Sequence, residues 1–335
     1  MHDPLPPSAR DVWRARARIQ GLIRRTPLLP APEFAAHDGA APAVWIKDET
    51  RQPTGAFKIR GAASALRALP DDVVARGVVA VSTGNHGRAV AHVARALGVP
   101  ARVYVSSRVP PDKLDALRAA GARVEVHGDS QDQAEDAARA RVETDGGTLI
   151  PPFDHVGVIA GQGTLGLELL EDLPDLDTVL APLSGGGLIA GVARAVKAVA
   201  PDVRVVGVSM EAGAAMHASL SAGRIVETPE ADTLADSLQG GLGRSNRYTF
   251  ALVRALVDDV LLVGERALAE AMRHAFHHHR LVLEGGGAAA LAALTSGATH
   301  VRGPTAVIAS GSNVGAGAFA RVLSGRTPAG EEHRA

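Results

Sequence analysis

Short runs of β-branched residues alternate with Ala-, Leu- and Arg-rich stretches from Gly77 onward. Val78–Val81 has the pattern of a strand and Asn85–Leu97 that of the helix after it. The same rhythm returns with the strand Val179–Leu183 and the helix Leu188–Ala200. Strands that alternate with helices of about ten to fifteen residues are typical of parallel sheets covered by helices. The sequence therefore predicts an α/β fold.

The composition excludes several classes of protein. Hydrophobic residues make up 46% of the 335 residues, with only six Phe, two Trp and two Tyr, so the core must be aliphatic. The chain contains no cysteine, which excludes disulfides, thiolate catalysis and cysteine-based zinc sites. A net charge of -1 offers no basic surface to nucleic acid, and no nucleic-acid partner is expected.

No targeting or membrane-spanning segment is predicted. Residues Met1–Pro7 lack the charged-then-apolar order of a signal peptide. No run of about 18 apolar residues is present that could cross a bilayer. We therefore expect a cytoplasmic protein without a membrane partner.

Lys58 is the first candidate for chemistry. It follows Thr54-Gly55-Ala56-Phe57 at the predicted start of a helix and is flanked by apolar Phe57 and Ile59. Burial of its amine would lower the pKa, as a lysine that reacts with a carbonyl compound requires. Seen alone, such a lysine is more often a solvated or paired side chain.

The second motif, Ser82-Thr83-Gly84-Asn85-His86-Gly87, directly follows a predicted strand. Its glycines allow a tight turn, and the helix after it offers free N–H groups to an anion such as a substrate carboxylate. An ordinary strand-to-helix turn with Asn as the cap is the alternative.

The third motif, Ser184-Gly185-Gly186-Gly187-Leu188, joins a strand to a helix. Consecutive glycines there can form a backbone cradle for phosphate. The spacing Gly185-x-Gly187-x-x-Ala190, with Glu211 after the next strand, also satisfies a dinucleotide-binding pattern. A plain glycine turn is the third reading.

The fourth motif is Ser310-Gly311-Ser312-Asn313, after the predicted strand Ala306–Ala309. A hydroxyl beyond the carboxyl end of a strand lies where α/β sheets bind ligands. A simple turn is the alternative interpretation.

Three histidines, His274, His277 and His278, share one face of a predicted helix. Such spacing can hold a transition metal, but no carboxylate beyond Glu270 accompanies it. We expect a solvated helix face there and no bound metal.

Together and in this order, the four motifs resemble those of the fold-type II pyridoxal-phosphate enzymes, which include threonine/serine dehydratases and serine racemases. Lys47–Ala62 is similar to the family's lysine motif, and Gly161–Thr164 to a further signature. Within the family, three segments look like those of the hydroxyectoine-utilisation dehydratases: Val206–His217, Thr233–Leu238 and Asn246–Phe250.

The resemblance implies pyridoxal 5'-phosphate as the cofactor and a role for each matching residue. Lys58 would hold the cofactor and move the substrate's α-proton, and Thr83 would be the second catalytic residue. The cofactor-binding residues would be Phe57, Lys58, Asn85, Gly185, Gly186, Gly187, Leu188 and Ser310. The amino-acid substrate would contact Ser82, Thr83, Asn85, His86 and Gln162.

Four positions depart from the family pattern. Ala56 stands in place of a frequent serine near the phosphate, and Ser237 in place of a frequent glycine near the ring. Thr83 occupies the position of the serine base of racemases, and a threonine there disfavours racemisation, which is the alternative activity within the family. Glu211 matches one acidic ligand of metal-dependent members, but His217 stands near the second, so no metal site is predicted.

The implied architecture is α/β, of fold type II and similar to tryptophan synthase β, with two lobes that each hold a mostly parallel sheet flanked by helices. Residues 1–68 and 149–325 would form a large cofactor-binding lobe, 69–148 a small mobile lobe, and 326–335 a frayed tail. A homodimer or higher homo-oligomer is expected.

The expected function is that of a dehydratase (ammonia-lyase), which removes water and then ammonia from a small β-hydroxy α-amino acid. The substrate would be of threonine/serine type or a hydroxy-diamino acid derived from hydroxyectoine. An amino-acid racemase is the alternative within the family, and an NAD-dependent oxidoreductase is the alternative from another class.

Overall fold

The computed structural model describes residues 5–34, 43–243 and 245–325; the predicted frayed tail, 326–335, lies outside them. The helices are α1 (Ala9–Arg18), α2 (Lys58–Leu66), α3 (Asp71–Val74), α4 (Asn85–Leu97), α5 (Pro111–Ala120), α6 (Gln131–Asp145), α7 (Val156–Asp172), α8 (Gly187–Lys197), α9 (Ala215–Ala222), α10 (Thr249–Leu256), α11 (Glu265–His279), α12 (Gly285–Thr295) and α13 (Ala316–Leu323). The strands are β1 (Leu28–Pro30), β2 (Val44–Asp48), β3 (Val78–Val81), β4 (Ala101–Val105), β5 (Arg123–Val126), β6 (Thr148–Leu149), β7 (Thr178–Pro182), β8 (Arg204–Met210), β9 (Asp259–Val263) and β10 (Thr305–Ala309).

The strands form two sheets. One has six strands in the order β1-β2-β10-β7-β8-β9, and the other has four in the order β5-β4-β3-β6. Every pair of neighbours is parallel except β1 with β2. The predicted α/β fold with two mostly parallel sheets flanked by helices is therefore confirmed. The antiparallel edge strand β1 was not predicted, because three residues are too few to show a period.

The two sheets draw on different parts of the chain. The four-stranded sheet takes all its strands from residues 78–149, and the six-stranded sheet takes its strands from 28–48 and 178–309. The predicted lobe boundaries and the mobility of the smaller lobe remain predictions. None of the helices in the described ranges combines the length and hydrophobicity that crossing a lipid bilayer requires.

The central strand β10 is buried on both faces. Val307 and Ala309 pack into the layer that contains α11 and α12, whereas Ala306 and Ile308 pack into the layer that contains α7 and α8. This alternation follows from the period of two in a strand, and it explains a continuous apolar run in the sequence.

Helix α2 lies between α7 and α4, and therefore contacts helices that cover different sheets. Its approach to α7 requires glycine. A Cβ at Gly161 would lie 2.4 Å from the carbonyl oxygen of Arg60 and 2.7 Å from the Cα of Gly61. The Gly161–Thr164 signature thus has a packing role, which holds the helix that begins at Lys58.

A buried ion network joins α2 to β2 and α7. The guanidinium of Arg60 donates to both carboxylate oxygens of Glu49, at 2.7 and 2.8 Å, and to Glu168, at 2.6 and 2.9 Å. The side chains of Arg60 and Glu49 are completely buried, and that of Glu168 is 8% exposed. Burial by itself would raise the pKa of Glu49, but the charge and hydrogen bonds of Arg60 hold it below its ordinary value.

Lys47 extends the same network along β2. Its buried amine lies 2.9 Å from Glu168 and 3.0 Å from Asp172, and it donates to the carbonyl oxygen of Thr26 at 2.8 Å. Two cations therefore lie among three carboxylates, and no charge in the network lacks an opposite partner.

Arg60→Met should destabilise the protein by about 3–5 kcal/mol, because Glu49 and Glu168 would be left as buried carboxylates without their cation. Chemical denaturation of the variant and the wild type measures the loss. Arg118→Met, which removes an exposed arginine paired with Asp115 on α5, is the control and should change stability little. Equal stability of Arg60→Met and the control would contradict the proposed importance of the network.

Candidate active site

The polar segments of the site lie beyond the carboxyl ends of parallel strands. β2, β10 and β7 are adjacent and parallel, so the residues after them, 49–58, 310–313 and 183–186, share one edge of the six-stranded sheet. In the other sheet, residues 82–84 follow β3. Ligands of α/β proteins bind at such edges. The contacts described below bring these segments together.

Lys58 is the first residue of α2, and its position is fixed by β-like pairing of the preceding segment. The N–H of Phe57 donates to the carbonyl oxygen of Ser310 at 3.0 Å, and Ala56 forms a bridge with Gly311. The buried Ser310 therefore lies beside the start of α2.

Lys58 is half-buried as a residue, and its amine donates to the carbonyl oxygen of Pro152 at 2.8 Å. Burial lowers the pKa of Lys58 to about 8, against the opposing effect of the Glu284 carboxylate. The aromatic ring of Phe57 lies 5.2 Å from the amine. An amine with this pKa is partly unprotonated near neutral pH and can act as a nucleophile or base.

The amino end of α4 is buried and has no side-chain cap in the described part of the chain. Its first main-chain N–H groups, from Asn85 onward, have no acceptor within the helix. His86 is buried beside them, and its Nε2 lies 2.7 Å from the carbonyl oxygen of Ile150. Burial, with the nearby Lys58 charge, lowers the pKa of His86 to about 3, so its ring is neutral. The main-chain N–H groups, rather than an imidazolium, are what this end of α4 offers an anion.

The glycine loop forms a second uncapped helix start. Within the described ranges, α8 has no side-chain cap, and Gly187 and Leu188 are buried in its first turn. Gly186 has a φ of +85°, which strongly favours glycine. A Cβ at Gly185 would lie 2.4 Å from the ring of Phe153, the residue after Pro152. The loop is thereby held next to the carbonyl group that Lys58 contacts, and it can accept a phosphate.

The side-chain amide of Asn85 bonds to two residues, and the sequence motifs did not predict either contact. Its Nδ2 donates to Glu284 at 2.6 Å, and its Oδ1 accepts from Asn313 at 2.6 Å. Asn313 in turn donates to the carbonyl oxygen of Thr54 and accepts from Arg88. This network joins the loop after β3 to the loop after β10.

Glu284 is the principal residue that sequence reasoning missed. It precedes Gly285 at the start of α12 and is 6% exposed. Burial raises the pKa of Glu284 to about 7; hydrogen bonds from Asn85, Asn313 and Ser237 oppose the rise, and Asp236 adds to it. Ser237, the residue in place of a family glycine, thus binds this carboxyl group. The sequence signal that could have identified Glu284 is its place as the one acid within the otherwise apolar run Leu281–Leu294.

The remaining predicted residues lie at different distances from this centre. Thr83 lines a cleft of about 740 Å³ together with Ser106, Arg108, Val109, Pro110, Lys113, Glu230, Ala231, Asp232 and Gln239. Ser82 accepts from the N–H of Gly84 at the turn before α4. Gln162 is completely buried between α7 and α2, against Gly61, and neither polar atom of its side chain has a partner in the described chain. Its predicted contact with substrate remains a prediction.

The sequence predicts no cation site at Glu211 and His217. Glu211 follows β8 and lies against Gly264, while His217 lies on α9. Across the described ranges, the one group of three or more potential metal ligands contains neither residue. The absence of a metal there remains a prediction.

These features fit pyridoxal phosphate. The site offers an amine with a lowered pKa, a glycine loop at a buried helix start for the phosphate, and a second buried helix start for a carboxylate. Phe57, whose ring lies near the Lys58 amine, pairs with the main chain of Ser310. Asn85 binds Glu284, whose charge acts on the same amine.

Comparison with known proteins gives the same result. Residues 19–311 match the model of the family described as pyridoxal-phosphate dependent enzyme. A Sinorhizobium fredii protein provisionally named a threonine dehydratase is 47% identical over 97% of this chain and 98% of its own length. The L-threonine ammonia-lyase of Geobacter sulfurreducens is 40% identical over 90% of this chain and 75% of its own.

Solved structures agree. Maize serine racemase superimposes with a TM-score of 0.87 and 34% identity, over 96% of this chain and 98% of that one. The predictions of the cofactor and of a pyridoxal-phosphate-dependent lyase are confirmed by these relatives, and the NAD-dependent alternative is set aside. The chain belongs to the fold-type II family of pyridoxal-phosphate dependent enzymes.

Proposed function

We propose that this enzyme eliminates water from a small β-hydroxy α-amino acid and then releases ammonia, which leaves a 2-oxo acid. The observation that carries the proposal is the placement of Lys58 and Glu284, with pKa values near 8 and 7, between two buried helix starts. The relatives named for threonine dehydration and deamination support the same reaction.

Each part of the site has one task in this proposal. Bound pyridoxal phosphate supplies an electron sink that acidifies the substrate's α-hydrogen. The Lys58 amine holds the cofactor and, once released, removes that hydrogen as a proton. Gly185, Gly186, Gly187 and Leu188 bind the phosphate through the start of α8. Phe57, Asn85 and Ser310 orient the ring.

The substrate carboxylate binds at the start of α4. Main-chain N–H groups of the first turn of α4, from Asn85 onward, receive it, with the Ser82 and Thr83 hydroxyls and the Asn85 amide beside them. His86 contributes its main chain and a neutral ring, because its pKa is low and its Nε2 is engaged with Ile150. Gln162 on α7 is proposed as a further contact of the substrate.

Glu284 holds a proton near the reacting atoms. With a pKa near 7, its carboxyl group is protonated about half the time at neutral pH and can both give and take a proton. Departure of the β-hydroxyl group requires one proton, so that it leaves as water. The Asn85 amide donates a hydrogen bond to this carboxyl group, which holds Glu284 next to the start of α4.

The cleft beside Thr83 selects the substrate's side chain. Its lining includes the acids Glu230 and Asp232 and the cations Arg108 and Lys113. The two cations already pair with other acids, Arg108 with Asp129 at 3.3 Å and Lys113 with Asp236 at 3.1 Å. Closure of residues 69–148 onto residues 230–239 would enclose the substrate. The two acids favour a side chain with a second amino group, as in a hydroxy-diamino acid derived from hydroxyectoine, over the methyl group of threonine.

Lys58→Ala should abolish the visible absorption of the bound cofactor and lower turnover by at least about 10³-fold, because the covalent anchor and base are lost. Absorption spectra and 2-oxo acid release are the measurements. Lys197→Ala, at the end of α8 and away from the site, is the matched lysine control. Turnover of Lys58→Ala close to that of the control would exclude Lys58 from the chemistry.

Glu284→Gln should change the dependence of stability on pH. The carboxyl group's folded pKa of about 7 lies above its ordinary value of 4.5, so its stabilising effect is complete below pH 4.5 and is lost as pH rises through 7. The wild type should therefore lose up to roughly 3 kcal/mol relative to the variant over this range. Thermal unfolding from pH 4.5 to 8 measures the difference.

Glu270→Gln, which removes an exposed carboxylate from α11, controls for the change in net charge. A stability difference between Glu284→Gln and the wild type that stays constant with pH would show that Glu284 does not titrate near 7.

A substrate panel of L-threonine, L-serine and a β-hydroxy α,γ-diamino acid tests the reaction and the cleft together. Release of 2-oxo acid and ammonia is expected, with the diamino acid preferred. The double variant Glu230→Gln/Asp232→Asn should lower kcat/KM for the diamino acid by at least about tenfold and leave threonine unaffected. Production of the D-amino acid without 2-oxo acid would favour the racemase alternative instead.

A further inference from the structure

A second cluster of titratable side chains lies outside the candidate active site, between helix α11 and the segment after β1. The Nε2 atoms of His274 and His279 lie 2.9 and 2.6 Å from one carboxylate oxygen, Oε1 of Glu33. All three potential ligand atoms lie within 4.8 Å of one another. Glu33 belongs to the short 3-10 helix Pro32–Phe34, so two distant segments of the chain converge on one point.

We propose that Glu33, His274 and His279 bind a divalent transition-metal ion of the zinc class. Two imidazole nitrogens and one carboxylate oxygen suit Zn²⁺, Co²⁺ and Ni²⁺. Mg²⁺ and Ca²⁺ prefer sites made of oxygen atoms and are poor candidates.

The spacing needs a modest opening for such an ion. Ligands about 2.1 Å from a tetrahedral zinc lie about 3.4 Å apart. The two nitrogen–oxygen distances of 2.9 and 2.6 Å would therefore have to open by roughly 0.5 and 0.8 Å. Across the described ranges no fourth protein ligand joins the group, which leaves a coordination position for water.

Neighbouring rings hold His274 in place. The Phe34 ring lies 5.1 Å from that of His274, and the His278 ring stacks on it at 4.2 Å with an angle of 23°. The side chains of His279, His274 and Glu33 are 8%, 18% and 20% exposed, so the site is partly shielded yet open to an ion. His279 is the last residue of α11, where the helix dipole favours a cation.

The proposed set revises the expectation drawn from the sequence. The predicted face combined His274 with His277 and His278, whereas the structure turns His279 toward Glu33 and leaves His277 exposed. The decisive carboxylate stands 241 residues before His274, so helical spacing could not reveal it.

Calorimetric titration of the tag-free holoenzyme with ZnCl₂, after removal of metals by a chelator and dialysis, tests the proposal. One saturable site per chain is expected, with Co²⁺ giving a visible absorption band and Mg²⁺ giving no signal. Glu33→Gln and His279→Ala should each weaken Zn²⁺ binding by more than about tenfold. His277→Ala, on the same helix but outside the set, is the matched control and should bind as the wild type does.

Thermal unfolding gives an independent readout, because a ligand that binds only the folded protein raises the midpoint. Zn²⁺ should raise it in the wild type and in His277→Ala, and not in Glu33→Gln or His279→Ala. Absence of saturable binding would overturn the proposal. So would binding that is lost in His277→Ala and kept in Glu33→Gln, since this is the behaviour of a solvated histidine face.

Discussion

Arg60 is completely buried and binds two carboxylates, one on the segment after β2 and one on α7. Its helix, α2, begins two residues earlier at Lys58, so the bonds that satisfy this charge also fix where the amine lies. A buried guanidinium without partners would be strongly unfavourable. The packing of α2 against β2 and α7 is therefore expected to form as a unit. The close contact of Gly161 with the main chain of Arg60 adds a steric limit to the electrostatic one.

With α2 held in this way, the site is completed by contacts between the two sheets. Asn85 belongs to the helix that follows β3, yet its amide binds Glu284 and Asn313, which belong to segments next to the six-stranded sheet. The amino end of α4, the Glu284 carboxyl group and the loop after β10 beside Lys58 are thereby coupled in position. A relative movement of the two sheets would alter all three, and this gives the proposed closure of residues 69–148 a direct route to the chemistry.

Many of the helices and strands were predictable from local sequence patterns. The helix Asn85–Leu97 and the strand Val78–Val81 have the predicted bounds, because a glycine turn and a β-branched run mark their ends unambiguously. Other bounds shifted by a few residues, as with α8, which begins at Gly187 and ends at Lys197. Lys47, Asp48 and Glu49 read as a charged run, but all three are buried. Asp48 pairs locally with Thr50 and Arg51, but Lys47 pairs with Glu168 and Asp172 on α7, far along the chain. Pairing at such a distance leaves no local pattern.

The sequence alone determined the parallel α/β fold, the aliphatic core and the order of the four motifs, since each depends on residues close together in the chain. The resemblance of those motifs to a known family then indicated pyridoxal phosphate as the cofactor. Only the tertiary structure decided that the Asn85 amide donates to Glu284, that His86 is neutral, and that Glu33 meets His274 and His279. Burial and long-range pairing set the pKa of a group and the convergence of ligands, and both exist only after the chain has folded.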